Sequence, residues 1–339
     1  MLTEAQVRDQ LNDILVPGIK RGLGALNMVR GVNVSGSEVR VSLAETALTD
    51  SVQQWLKDKV VRAVGEAGGD SQVTVDFVAA KPAELNRIGN VVAIMSGKGG
   101  VGKSLVAGLT AIALRREGFE VGILDADITG PSIPKMFGVS ERPAGSNSGI
   151  LPVLSKSGIE VMSFNLLLGE EEAVIWRGPL ISRAITQFWE DVVWGNLDYL
   201  VIDLPPGTSD AALTVMQTIP ITGIIVVSTP QDLTNMIVKK ALAMARKMDK
   251  PILGVVENMS YLYVAELHKN IELFGHSRAD ETARTAHAPL LGRLAIDPDL
   301  AKLCDEGHVE RYDAPAFHEL SRRLKEVLPG ASAAGDGEA

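Results

Sequence analysis

The stretch VVAIMSGKGGVGKS, residues 91–104, decides the fold. Apolar residues at 91–95 predict a buried strand; a glycine loop follows, and a helical pattern occupies 103–116. Gly97, four intervening residues, then Gly102, Lys103 and Ser104 complete the spacing of a phosphate-binding loop. Glycines at 97, 99, 100 and 102 let main-chain N–H groups turn inward with no Cβ in the way. Together with the N-terminus of the following helix, those donors cradle a polyphosphate. The expected nucleotide contacts are therefore Gly97, Gly99, Gly100, Val101, Gly102, Lys103, Ser104 and Leu105. Lys103 reaches the β- and γ-phosphates, and the Ser104 hydroxyl ligates Mg²⁺. A plain glycine-rich turn is the competing reading, but strand and helix flank the loop in the order the mechanism requires.

Working outward, 121–127 (VGILDAD), 198–204, 223–229 and 252–258 are further buried strands, alternating with helical patterns such as 233–248. Strands and helices in βα order demand an α/β fold, a doubly wound parallel sheet. Ligands of such sheets sit at the carboxyl ends of the strands. Asp125, Asp127 and Asp203 then face the loop: Asp127 to orient an attacking water, Asp125 to support the Mg²⁺ shell, Asp203 to hold that shell through water. Strand-end aspartates with no such role are the alternative. Pro205, Pro206 and Gly207 make a stiff turn with one free joint, suited to gripping the γ-phosphate through the Gly207 N–H and releasing it after hydrolysis. Asn258 offers donor and acceptor to a base edge, or else caps a turn.

A length of 339 residues accommodates this domain and a smaller one. Residues 1–80 predict a small α+β domain: a helix capped by Thr3, two strands within 29–43, a helix at 52–64 and a strand at 72–78. Residues 81–90 read as a polar linker, 91–329 as the nucleotide domain, and 330–339 as a disordered tail. Within the large domain, 151–164 predicts two short strands about Gly158, and 170–172 a solvated acidic cluster. Helices are expected at 180–193, 299–306 and 315–328, a last strand at 289–297, and packing roles for Trp176, Trp189 and Trp194. The formal charge of −9 argues against a nucleic-acid surface. A single cysteine, Cys304, no secretory h-region and no apolar run of membrane-spanning length point to a cytoplasmic chain.

Lys98, directly after the first glycine, makes the loop resemble that of the deviant phosphate-loop ATPases, the group of MinD, ParA, the nitrogenase iron protein and ArsA. That resemblance implies that Lys98 crosses a dimer interface to the partner's nucleotide. DADITGPSIPKMFG (125–138) and the block from Val174 to Asp210 resemble the Mrp/ApbC family, and the likeness extends from 91 to about 327. It implies an ATPase of the iron–sulfur cluster carrier type, with Lys98, Lys103 and Asp127 as catalytic residues and Asn258 reading adenine. The first domain resembles the small domain fused upstream of such ATPases and found alone in iron–sulfur assembly factors. It has Val16-Pro17-Gly18-Ile19 where that family carries Asp-Pro-Glu, and Leu48 near the place of its cysteine. The glycine common at position 209 is Ser209 here.

The pattern breaks after Tyr261. The family places a Cys-x-x-Cys pair there, supplying a bridging 4Fe–4S cluster; those positions hold Val264 and Leu267. Four thiolates per cluster is the usual requirement, and a symmetric dimer of this chain offers only two Cys304 sulfurs. Glu266, His268 and His276 are the other donors nearby. The sequence thus argues against a 4Fe–4S cluster and suggests that Tyr261, Leu262, Tyr263, Val264 and Leu267 pack into a dimer interface instead. The expected function is a Mg-ATP-hydrolysing homodimer of the cluster-carrier type, with an iron–sulfur assembly component or other client as partner. The alternative is a cluster-free, nucleotide-switched adaptor or chaperone. A ParA-like positioning role fits less well with the acidic charge, and no basic membrane-gripping tail is present.

Overall fold

The computed structural model describes residues 2–68, 71–128, 130–167 and 178–330. The acidic cluster 170–172, Trp176, Arg177 and the tail from 331 lie outside them. The chain divides into two compact units: residues 1–88 with 142–154 and 187–197, and residues 89–141 with 155–186 and 198–339.

In the first unit α1 (Glu4–Asn12) starts at Thr3, whose hydroxyl accepts from the Gln6 N–H while the Gln6 side chain accepts from the Thr3 N–H. Such a reciprocal cap satisfies two otherwise open donors. The antiparallel hairpin β1 (Val29–Ser35) and β2 (Glu38–Ala44) is followed by α2 (Asp50–Gly68), which returns the chain to β3 (Gln72–Val78) parallel to β2. This is the expected α-β-β-α-β order. One addition escaped the sequence reading: Leu15–Val16 pairs with Arg21–Gly22 in a tight hairpin. Val7, Leu11, Val41, Leu43, Leu56, Val60 and Val64 interlock as the core.

The division between the units falls at 88/89, within the expected linker 81–90, and that stretch is structured. Residues Pro82–Leu85 form a helical turn that buries Leu85, and the next strand begins at Arg87. Asn86 explains why. Its side-chain amide donates to the Val192 carbonyl at 2.9 Å and accepts from the Trp194 N–H at 2.7 Å. Those bonds draw 187–197 into the first unit, and Ser148 Oγ, accepting from the Ala47 N–H at 3.0 Å, does the same for 142–154.

The second unit holds most or all of β4 (Arg87–Ser96), α3 (Lys103–Arg116), β5 (Val121–Asp125), β6 (Glu160–Ser163), α4 (Gly178–Asp191), β7 (Asn196–Asp203) and α5 (Asp210–Thr218), one end of β4, α4 and β7 being counted with the first. It continues through β8 (Gly223–Ser228), α6 (Asp232–Lys247), β9 (Ile252–Glu257), the small hairpin β10 (Leu262–Val264) and β11 (Lys269–Ile271), then α7 (Ala279–Ala286), β12 (Leu290–Arg293), α8 (Pro298–Asp305) and α9 (Pro315–Val327). Among the described residues the order is β6-β5-β7-β4-β8-β9-β12, and the registered pairs are parallel. From β4 the chain winds out to β6, returns through β7 and then continues on the other side. The direction of winding therefore reverses beside β4, where ligands of open α/β sheets bind. Strands β5, β8 and most of β4, β7 and β9 are buried, as their apolar runs require. Trp194 is fully buried and Trp189 partly so.

Candidate functional site

The strands around the reversal each finish an apolar run on a polar residue: Ser96 on β4, Asp125 on β5, Asp203 on β7, Ser228 on β8 and Glu257 on β9. The register lays Ser163, Asp125 and Asp203 side by side across three strands, and Ser228 beside Glu257. One edge of the sheet is thereby polar.

The glycine loop runs from that edge into α3. Gly102 precedes the helix with φ +79°, and no side chain caps it, so the first-turn amides remain open to an anion. A Cβ on Gly102 would lie 2.0 Å from Asn258 Nδ2. Gly97 is needed for a different reason: its Cβ would lie 2.8 Å from the main chain of Ile237 and Val238 in α6. Close helix packing, and not only phosphate approach, dictates that glycine.

Lys103 is buried beneath the loop, its Nζ 2.5 Å from Asp203 Oδ1 and 3.6 Å from Asp127 Oδ2. Ser104 Oγ donates to the other Asp203 oxygen at 2.5 Å. The structure thus brings Lys103, Ser104, Asp127 and Asp203 together as expected from sequence. Asp125 is differently employed. Its Oδ1 accepts from the Asp127 N–H, its Oδ2 from the Ile133 N–H and the Ser163 hydroxyl, so both oxygens brace the chain beyond β5 and aim Asp127. Burial, then the neighbouring Asp203 charge, pushes the Asp125 carboxyl up to about 8 against the pull of Lys103. Burial also raises Asp203, outweighing the Lys103 ammonium.

Among the described residues Asp127 and Asp203 both face the Lys103 ammonium, with Asp125 beside them. Such an excess of buried negative charge fits a divalent cation. Ser104 Oγ and Asp203 would hold Mg²⁺, a donor set as small as this ion takes when phosphate oxygens complete its shell.

Asp125 yields a prediction. Its native proton is held from about pH 4 to about pH 8, a range in which the unfolded chain has released it, so wild-type stability falls as pH rises through that window. In nucleotide-free, chelator-treated protein, Asp125→Asn should flatten this fall. Thermal midpoints across the window should converge by a few degrees, since about 1 kcal/mol moves a domain by about 2–4 °C.

Three other residues singled out in the sequence have partners within the nucleotide-free chain. Lys98 Nζ donates to Gln231 Oε1 at 2.8 Å within its own chain; Gln231, at the mouth of α6, was missed, and its only signal was a polar residue following a strand end. The Gly207 N–H is given to the Ser96 carbonyl at 3.0 Å. Asn258 is buried and donates to the Val101 carbonyl at 3.0 Å, bracing the loop from below. Ser209, in place of a glycine, is the N-cap of α5, its Oγ accepting from the Ala212 N–H. Such caps contribute about 0.5–2 kcal/mol.

Beyond Asn258, one carboxylate fastens both feet of the β10–β11 excursion. Buried Glu257 accepts from Ser260 and Ser277 hydroxyls, each at 2.6 Å, and from the Arg278 N–H at 2.9 Å. Val264 ends β10, and Leu267, at the turn, is 65% exposed. Tyr263 and Phe274 are exposed as well. His268 meets the Tyr263 hydroxyl, and His276 pairs with Glu272. Among the described residues no group of three or more His, Cys, Asp or Glu side chains is arranged to hold a metal ion. Cys304 is half-buried in α8, and burial followed by the Asp305 charge pushes its thiol up to about 11. No helix among the described residues is long and apolar enough to cross a membrane.

Comparison with known proteins gives the family. Residues 87–328 match the family model described as NUBPL iron-transfer P-loop NTPase, and residues 4–77 match one described as iron-sulfur cluster assembly protein. The chain is 45% identical over 271 residues to the iron-sulfur cluster carrier protein of Clostridium perfringens, covering 76% of this chain and 92% of that protein. It is 36% identical over 348 residues to the Escherichia coli K12 iron-sulfur cluster carrier protein, covering 96% and 94% of the two chains. Among solved structures, the Archaeoglobus fulgidus nucleotide-binding protein in complex with ADP superposes with a TM-score of 0.62. It is 46% identical and covers 70% of this chain and 94% of that one. With a phosphate loop at the sheet's reversal and a buried Lys103–Ser104–Asp203 cluster, the chain belongs to the NUBPL iron-transfer P-loop NTPase family, as an ATPase of the Mrp/ApbC, MinD/ParA-like type.

Proposed function

We propose that this chain is a cytoplasmic, homodimeric Mg-ATP switch that serves iron–sulfur cluster assembly without holding a 4Fe–4S cluster on cysteine. The observation that carries the nucleotide half is the Lys103–Asp203–Ser104 cluster beneath an uncapped helix N-terminus. The observation that carries the cluster-free half is the donor set: Val264 and Leu267 at the family's thiolate positions, and one cysteine, remote in sequence and with a raised pKa.

In the nucleotide-free state Lys103 is held by Asp203 and Asp127. An entering triphosphate draws its ammonium across to the β- and γ-phosphate oxygens, while the amides from Gly97 to Leu105 close around them. Mg²⁺, when bound at Ser104 and Asp203, supplies neutralisation of phosphate charge. Asp127, released from Lys103, orients the water that attacks the γ-phosphorus as the ADP oxygen leaves, and Asp125 holds Asp127 in place. Gly207 exchanges the Ser96 carbonyl for a γ-phosphate oxygen and returns to it after hydrolysis, so the loop reports which nucleotide is bound. Lys98 leaves Gln231 to reach the nucleotide of a second protomer. Asn258 supports the loop and presents its remaining acceptor toward adenine.

Cluster carriage by this chain and a cluster-free adaptor role make different demands. Anaerobic reconstitution with iron and sulfide, followed by metal analysis, distinguishes them: the cluster-free reading expects no stoichiometric iron. About four irons per dimer would overturn it and leave the nucleotide assignment untouched.

A further inference from the structure

The first unit carries a concavity with no part in nucleotide chemistry, a cavity of about 820 Å³ between the tight hairpin 15–22 and α2. Its walls are apolar: Ile14, Leu15, Val16 and Pro17 on one side, Val52 and Trp55 on the other. Leu15 is 53% and Trp55 45% exposed, both large apolar side chains. Val52, Trp55 and Lys59 lie within two turns of α2, and α1 contributes Gln10. Two further features point to a ligand. Gln10 Oε1 is buried in this wall with no hydrogen-bond partner, an acceptor waiting for a donor. Lys20 and Lys59 stand at the rim of a chain whose net charge is −9, against one rim carboxylate, Asp13.

We propose that this groove receives an extended segment of a partner protein in which a large apolar side chain is flanked by carboxylates. The apolar side chain enters between Leu15 and Trp55, a main-chain N–H of the segment donates to Gln10 Oε1, and its carboxylates meet Lys20 and Lys59. A second copy of this chain is a poor occupant, because a symmetric contact would set the two lysine-bearing rims against each other. The concave shape favours a strand of peptide over a flat bilayer. The groove, α1 and α2 belong to the first unit, so the inference does not rest on the nucleotide reading.

The test uses the full chain and a fluorescein-labelled peptide, acetyl-Glu-Asp-Leu-Phe-Asp-Glu-amide, followed by anisotropy and by the Trp55 indole resonance. The expected result is saturable binding that shifts Trp55 and weakens on the order of tenfold in the Lys20→Glu/Lys59→Glu variant. That variant should in turn prefer the peptide with lysines for its acidic residues. Trp55→Ala and Gln10→Leu should each weaken binding several-fold without lowering the thermal midpoint. These are groove-wall and rim changes, so a folded control is available in each case. No binding to wild type, equal binding of acidic and lysine peptides, undiminished binding of a peptide with Ser-Ser in place of Leu-Phe, or preference for phosphatidylglycerol vesicles would each overturn the proposal.

Discussion

Replacing Lys103 with alanine should lower ATP turnover by on the order of 10²–10³-fold or more, because an ammonium poised in a water-poor site contributes most to developing phosphate charge. Among the described residues Lys103 is also bonded to both Asp203 and Asp127 in the nucleotide-free protein, so its loss carries a second effect. A buried Asp203 carboxylate that loses this counter-charge costs about 3–5 kcal/mol if it stays ionised, and the variant should respond by taking up protons. Two readouts separate these consequences. Nucleotide affinity, measured by equilibrium binding of a fluorescent ATP analogue with Mg²⁺, should fall at every pH. The thermal midpoint of the nucleotide-free variant should fall chiefly toward alkaline pH. Wild-type turnover in this variant would contradict the assignment of the site.

Asp127→Asn should separate binding from hydrolysis. The side chain keeps its size and its place beyond β5, held by the Asp127 N–H bond to Asp125, yet loses the charge that orients water. Turnover should drop on the order of 10²-fold or more, in the range expected for a group that positions a nucleophile, while ATP affinity stays within a few-fold. Single-turnover measurement of phosphate release, set against equilibrium binding, checks both halves. Equal loss of affinity and turnover would place Asp127 in ground-state binding instead.

Much of this site is legible in the sequence because sheet and loop obey local rules. VGILD, LVID, GIIVVS and GVVE each show an apolar run ending in a polar residue, and a parallel sheet brings those ends to one edge. The glycine spacing and Lys103-Ser104 fix the cradle by themselves. Other features depend on partners far along the chain. The expected linker is tied down by Asn86 through residues around 192–195, and no local pattern announces such a bond. Lys98 finds Gln231 more than a hundred residues away. The oxygens of Asp125 accept from Ile133, Ser163 and Asp127, a bracing role that no local pattern announces. Asn258, expected at the base from its strand-end position, also slides its amide beneath the loop because Gly102 lacks a Cβ.

The Glu257 fastening has a lasting consequence for how such a protein can diversify. An excursion whose entry and exit are buttoned to the same carboxylate is mechanically a cassette. Its contents can be rewritten, thiols for aliphatics or the reverse, while the seam holds and the neighbouring engine of phosphate chemistry keeps its alignment.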